Sequence, residues 1–146
     1  MPPQSRIQDI THVIQLAVAP VFLLTAVGTI LNVLTTRLSR VVDRARKLDE
    51  RLGEAAQDAR APLEAELRVL ARRRRLVNRA ITLGTTAALL VCLVIAVAFL
   101  GFVLHADLSG ALAGLFIAAM LAFIGALVFF LREIFLAVAT PGVGMR

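Results

Sequence analysis

The stretch LARRRRLVNRAITLGTTAALLVCLVIAVAFLGFVL, Leu70–Leu104, holds five arginines in its first ten residues and no charge in its last twenty-five. No linker separates the two halves. A basic run that ends where an uncharged apolar run begins has the pattern of a membrane boundary. A nucleic-acid surface would interleave aromatic residues with the arginines or carry a recognisable reading helix, and neither is present, so no nucleic-acid partner is expected.

The rest of the chain repeats this segregation. Of 146 residues, 59% are hydrophobic and 18% charged, more apolar than a typical soluble domain. The segment 37–79 holds thirteen of the sixteen Lys/Arg residues and seven of the ten acids, a surplus equal to the whole formal charge of +6. The remainder is neutral. The single cysteine, Cys92, lies in an apolar run and reads as a small membrane-buried hydrophobe. The start, MPPQSRIQDITHV, lacks a basic amino-terminal region and a small-residue cleavage site, so no removable signal peptide is expected.

Three stretches reach the roughly 20 residues that a bilayer crossing takes. They cover about 13–36, 80–104 and 111–131. Arginine bias in short loops places 37–79 in the cytoplasm and the connection HADLSG outside. The amino terminus is then outside and the carboxyl terminus inside, with Arg132 and Arg146. No Trp or Tyr is present to form an aromatic belt, so phenylalanines such as Phe99, Phe129 and Phe130 are the candidate anchors.

The basic segment reads as helix. Leu24, Val27, Leu31, Leu34, Leu38, Val41, Ala45, Leu48 and Leu52 alternate in steps of three and four. A second seam runs Leu63, Leu67, Leu70, Arg74, Val77, Ile81, Gly84, Ala88 and Val91. Gly53 suits a helix stop and Pro62 the first turn of the next helix. Folding there pairs Leu48 with Leu67, Ala45 with Leu70 and Leu34 with Ile81 in one antiparallel register, projecting a cytoplasmic arm of roughly 24 Å at 1.5 Å per residue. The same register sets Arg74 against Val41, where an apolar residue belongs, and brings Asp43 near Arg72, an expected structural ion pair. At the amino end, Ser5 and Gln8 read as a capping box, so one helix is expected from about residue 6 to 52, kinked by Pro20.

These blocks carry a resemblance. IQLAVAPVFLLTAVGTILNVLTTRLSRVVDRARKLDE, then LARRRRLVNRAITLGTTAALLVCLVIAVAFL, resembles the small bacterial membrane proteins grouped as the domain of unknown function 2721 family. The specific features are AVAPVFLL, NVLTTRL leading into RVVDRAR, and RRRLVNRAI; the third span, ending in FLREIFLA, is similar too. The resemblance covers Ile14 to Leu100 and implies a three-span inner-membrane protein. It implies no activity.

Nothing in the chain points to catalysis. There is no HExxH, no Gly-rich phosphate loop and no evident nucleophile–base pair, so no enzyme, cofactor or metal centre is expected. His12, His105, Asp9 and Asp107 fall on the expected outer side, as solvated helix ends or as groups sensing protons or metal. A polar face on the first span is more telling. Thr11, Gln15, Val18, Phe22, Thr25, Thr29, Asn32 and Thr36 fall at helical spacing, beside Gly28. Their polar groups either bond a neighbouring helix or line a water path, and a path needs several copies of the chain. On the third span Gly110, Gly114, Ala118, Ala122 and Ala126 recur every four residues as a close-contact ridge, either within the chain or between subunits.

The sequence thus predicts an all-α membrane protein, residues 1–146 as one membrane domain, with three transmembrane helices and a cytoplasmic antiparallel helical hairpin at 37–79. It predicts a homo-oligomer of a bacterial inner membrane. The first functional expectation is a channel-like ion-conducting assembly, its path lined by Thr25, Thr29, Asn32 and Thr36. Arg37, Arg40, Arg72, Arg73, Arg74, Arg75 and Arg79 would stand at the inner mouth or on anionic lipid headgroups. The alternative is a non-conducting scaffold or sensor whose basic hairpin binds anionic lipid or a protein partner.

Overall fold

The computed structural model describes residues 3–139, with the side chains of residues 3–10, 12, 13, 16, 17, 58 and 139 outside the description. The chain forms three α-helices: α1 (Pro3–Glu54), α2 (Gln57–Leu104) and α3 (Ser109–Ala139). Among the described residues there is no strand. All three helices are long and apolar enough to cross a membrane. The all-helical architecture with three span-length apolar helices expected from hydropathy is therefore the one observed.

The ends of the helices differ from expectation in informative ways. α1 opens at Pro3, not near residue 6; proline suits a first helical position because the N–H it lacks would have no helical partner there. The side chains of the expected capping box, Ser5 and Gln8, lie outside the described residues, as do those of Asp9 and His12. α1 continues as helix through Pro20. The α1–α2 turn is only Ala55 and Ala56, much tighter than the ten-residue stretch between Leu52 and Leu63 expected from Gly53 and Pro62. Gly53 is taken into the last turn of α1, and Pro62 stands six residues into α2. Two local bonds close this turn. The Ala59 N–H donates to the Ala56 carbonyl at 3.0 Å, and the Arg60 Nε donates to the Ala55 carbonyl at 3.2 Å. They satisfy groups that helix termini leave without partners.

The α2–α3 connection is equally defined. His105 takes a left-handed backbone conformation at φ 53°. Its N–H reaches the Phe102 carbonyl at 3.4 Å, and the Ala106 N–H reaches the Gly101 carbonyl at 3.1 Å. This pair of bonds is a Schellman motif. It explains Gly101, where a Cβ would sit 3.3 Å from the Ala106 carbonyl oxygen. Asp107 then accepts the Ser109 N–H at 3.1 Å and opens α3. Hydrogen bonds from the Ser109 side chain and backbone hold the Asp107 carboxyl below the usual carboxylate range.

Contacts group into two units: Met1–Leu31 with Leu83–Ile124, and Asn32–Thr82 with Gly125–Arg146. In the first, Val27, Ala87, Val91, Val94 and Ala119 are buried. In the second, the buried residues include Leu34, Val41 and Leu48 on α1, Leu70, Val77 and Ala80 on α2, and Ala126 and Glu133 on α3. The spacing is a heptad. Val27, Leu34, Val41 and Leu48 step by seven, as do Leu70, Val77, Gly84 and Val91, then Ala80, Ala87 and Val94, and finally Ala119, Ala126 and Glu133. The outer end of the hairpin packs Leu63, Leu67 and Ala45 against Val41, Leu48 and Leu70, as the antiparallel register requires.

One layer of that register is corrected. Arg74 does not stand in the seam opposite Val41; it is exposed. The inward position is one residue earlier, at Arg73, three residues after buried Leu70 and seven before buried Ala80. Leu70, Val77, Gly84 and Val91 keep their expected places, and only the alternate positions move back by one, from Arg74, Ile81 and Ala88 to Arg73, Ala80 and Ala87; a register built from two helices omits α3, whose Glu133 takes Arg73.

Candidate functional site: an arginine cleft built on a buried glutamate

In the second unit, Glu133 stands where α3 places alanine at the two preceding heptad positions. Its side chain is 0% exposed. A buried carboxylate needs charged partners and hydrogen bonds. Arg37 of α1 and Arg73 of α2 supply them. Arg37 Nη1 donates to one oxygen at 3.1 Å; Arg73 donates to the other through Nη2 at 2.7 Å and Nε at 3.2 Å. Both arginines occupy equivalent places, each three residues after a buried seam leucine, Leu34 and Leu70. Arg37 also lies over the Phe130 ring, 5.3 Å from its centroid, and Arg79 over Phe129 at 5.8 Å. Such cation–π contacts hold the guanidinium planes in place. Among the described residues no buried side-chain polar atom is left without a partner.

Beside this carboxylate opens a cleft of about 270 Å³ lined by Arg37, Arg40, Val41, Arg44, Leu70 and Arg73. Val41 and Leu70 form its apolar floor. Arg44 is held from across the hairpin by Glu66, at 3.0 Å from Nε and 2.8 Å from Nη2. Arg40 has no ion-pair partner among the described residues. The result is a concave surface lined by four arginines and an apolar base, suited to a planar or tetrahedral oxyanion.

The sequence-derived candidates divide. Arg37, Arg40 and Arg73 come together in the cleft. Arg72, Arg74, Arg75 and Arg79 are exposed on α2. The expected Asp43–Arg72 pair does not form; both side chains are exposed, and the bridge across the hairpin is Arg44–Glu66. Arg73, half-buried, is the one that pairs with Glu133, and its neighbour Arg72 is left exposed. Arg44, Glu66 and Glu133 were missed. The signal for Glu133 was present, since an ionisable residue inside an apolar span needs a partner and marks a site. Arg132 and Glu133 are the only charged residues of α3.

Thr25, Thr29, Asn32 and Thr36 lie on an exposed face of α1. The Thr25, Thr29 and Thr36 hydroxyls donate to the carbonyls of Val21, Thr25 and Asn32, at 3.3, 3.0 and 2.9 Å. These bonds stay within one helix. On α3, Gly110, Gly114 and Ala118 are exposed, and no atom lies within 4 Å of a Cβ built at either glycine. Of the same expected ridge, Ala122 is half-buried and Ala126 buried, and the buried positions of α3 step by seven through Ala119, Ala126 and Glu133. Among the described residues no group of three His, Cys, Asp or Glu side chains gathers as a metal site.

No curated protein and no solved structure matches the chain. The family model described as "Protein of unknown function (DUF2721)" matches residues 17–141, a range that contains α2, α3 and α1 from residue 17 onward, and with them the arginine cleft and Glu133. The chain belongs to this family of proteins of unknown function.

Proposed function

We propose that this protein is a non-conducting membrane scaffold or sensor that gathers anionic lipid at the cytoplasmic face of a bacterial inner membrane through its basic hairpin. The observation that carries the reading is the state of Arg72, Arg74 and Arg75. All three are exposed, and none has an ion-pair partner among the described residues. They stand a few residues before Ala80, where α2 loses all charge. An arginine held there gains roughly 1 kcal/mol from an anionic leaflet. The loop bias in arginine favours this face as the inner one. The reading involves no catalysis and no cofactor.

The conducting alternative asks the face of Thr25, Thr29, Asn32 and Thr36 to offer donors to water in a path between copies. Three of those hydroxyls already donate to carbonyls of their own helix. The scaffold reading is preferred for that reason.

The test is lipid enrichment. The protein is reconstituted in vesicles of phosphatidylcholine with phosphatidylglycerol, recovered in mild detergent, and its retained lipid counted. The wild type is expected to retain phosphatidylglycerol above its bulk share, less so at high salt. The triple variant Arg72→Gln, Arg74→Gln, Arg75→Gln is expected to lose most of that enrichment. Retained lipid at the bulk ratio, or ion flux from vesicles carrying the wild type, would overturn the reading.

A further inference from the structure

We propose that the cleft between Arg37, Arg40, Arg44 and Arg73 binds a phosphate monoester dianion, and that Glu133 is a built-in competitor that sets its affinity. The proposal rests on the membrane-surface reading only for where its ligand would come from.

The charge arithmetic is local. Four guanidinium groups line the cleft, and the two carboxylates that reach them, Glu133 and Glu66, leave two positive charges over. A phosphate monoester carries about −1.5 to −2 at neutral pH and offers three acceptor oxygens. A phosphodiester carries a single charge. The surplus therefore matches the monoester. Val41 and Leu70 are buried at the floor, so charge interactions close to it, such as those of Arg73, are less screened by water than those of exposed Arg44 at the rim.

The donors are also available. A guanidinium has five N–H groups. Glu133 takes one from Arg37 and two from Arg73, so both arginines keep donors for a second acceptor. Arg40 keeps all of its ion-pairing capacity. An oxyanion in the cleft and the Glu133 carboxylate then address the same two arginines from different sides. They repel each other and divide the same donors. Binding loosens the grip on Glu133, and the grip on Glu133 opposes binding. Because Glu133 is one attachment of α3 in this unit to the hairpin helices, ligand at the hairpin is coupled to the hold on α3.

Two sources present this chemistry: phosphatidic acid in the bilayer, and a soluble phosphate monoester. The experiment uses the full chain in phosphatidylcholine nanodiscs. One arm adds phosphatidic acid to the bilayer, a second adds phosphatidylglycerol at matched total charge, and a third adds glycerol 3-phosphate to the buffer. Binding is read by native mass spectrometry and by the shift in thermal unfolding. Tighter binding of phosphatidic acid than of phosphatidylglycerol is expected, or of glycerol 3-phosphate if the source is soluble. Arg40→Gln, which leaves Glu133 untouched, is expected to weaken monoester binding about tenfold. Glu133→Gln removes the competing charge but keeps an acceptor, and is expected to tighten it on the order of tenfold. A merely structural Glu133 would leave affinity unchanged or lower it. Should Glu133→Gln not fold, Arg40→Gln and Arg44→Gln decide the matter, each expected to weaken monoester binding.

Equal binding of the two lipids with no dependence on Arg40 overturns the cleft while leaving the general hold on anionic lipid intact. Glycerol 3-phosphate binding that depends on Arg40, with no enrichment of either lipid, upholds the cleft and removes the lipid reading. No monoester binding in any arm overturns the proposal.

Discussion

Glu133 is the residue at which sequence, packing and chemistry meet. Its position follows from the heptad that buries Ala119 and Ala126, and its partners are two arginines on two other helices. Removing one partner of a buried charge costs about 3–5 kcal/mol, because the other charge is left uncompensated. Arg73, 23% exposed beside fully buried Glu133, approaches that case. Arg44–Glu66 does not, with side chains 55% and 41% exposed, and exposed pairs contribute about 0–1 kcal/mol. Arg73→Ala is therefore expected to lower stability by about 3 kcal/mol and Arg44→Ala by less than about 1. Reversible unfolding in mixed micelles, with helicity as the signal, compares the two. Equal losses would show that Glu133 is not the stronger attachment. This residue was hard to notice in the sequence because a lone acid carries no period of its own. Its meaning appears only when the alanines seven and fourteen residues before it are read as buried.

At the scale of helices, most of the architecture was legible. Long uncharged runs named the three spans, and the steps of three and four in Leu34–Leu52 and Leu63–Val77 named the hairpin and its register. Leu48 and Leu67 do pack in one cluster. Cysteines at positions 48 and 67, with Cys92 replaced by Ala, are expected to crosslink within one chain on mild oxidation. Dimers formed through these positions on a denaturing gel would mean that the seam serves contacts between chains. The illegible part was the phase of α2 at Arg73 and Arg74. Steps of four and of three from Leu70 both lead on to Val77, and only the third helix decides between them. The short turns were also illegible. Ala55–Ala56 carries none of the usual turn residues, while Pro62 advertises a boundary that lies five residues earlier. The opening of α3 gives a pH expectation. The Asp107 carboxyl is held below the usual carboxylate range by Ser109. A depressed folded value means that its stabilising effect is full above the unfolded value and fades as pH falls through the folded one. Amide exchange at the first turn of α3 should accelerate in that acid window. Asp107→Asn should remove the step, and an unchanged acid profile in that variant would count against the assignment.

For the molecule as a whole, orientation is the expectation on which the lipid reading depends. A reporter fused after Arg146 is expected to be active in the cytoplasm, and one inserted between Asp107 and Leu108 in the periplasm. The opposite pattern would put Arg72–Arg75 on the outer face and remove the anionic leaflet from the argument. The seven-residue spacing has a further consequence, for how such a chain can change length over time. One residue added or lost within a helix turns everything beyond it by about 100°. A deletion between Ala126 and Glu133 would point the carboxylate away from Arg37 and Arg73, so α3 is locked in length there by chemistry, not only by packing. The hairpin tip is free of that lock. Seven residues inserted before Ala55 together with seven after Ala56 would restore the facing seams, lengthen the arm, and leave the arginines where they are. Descendants of such a chain should therefore vary at the tip in matched whole heptads, and tolerate no odd-sized change between Leu34 and Val41, Leu70 and Val77, or Ala126 and Glu133.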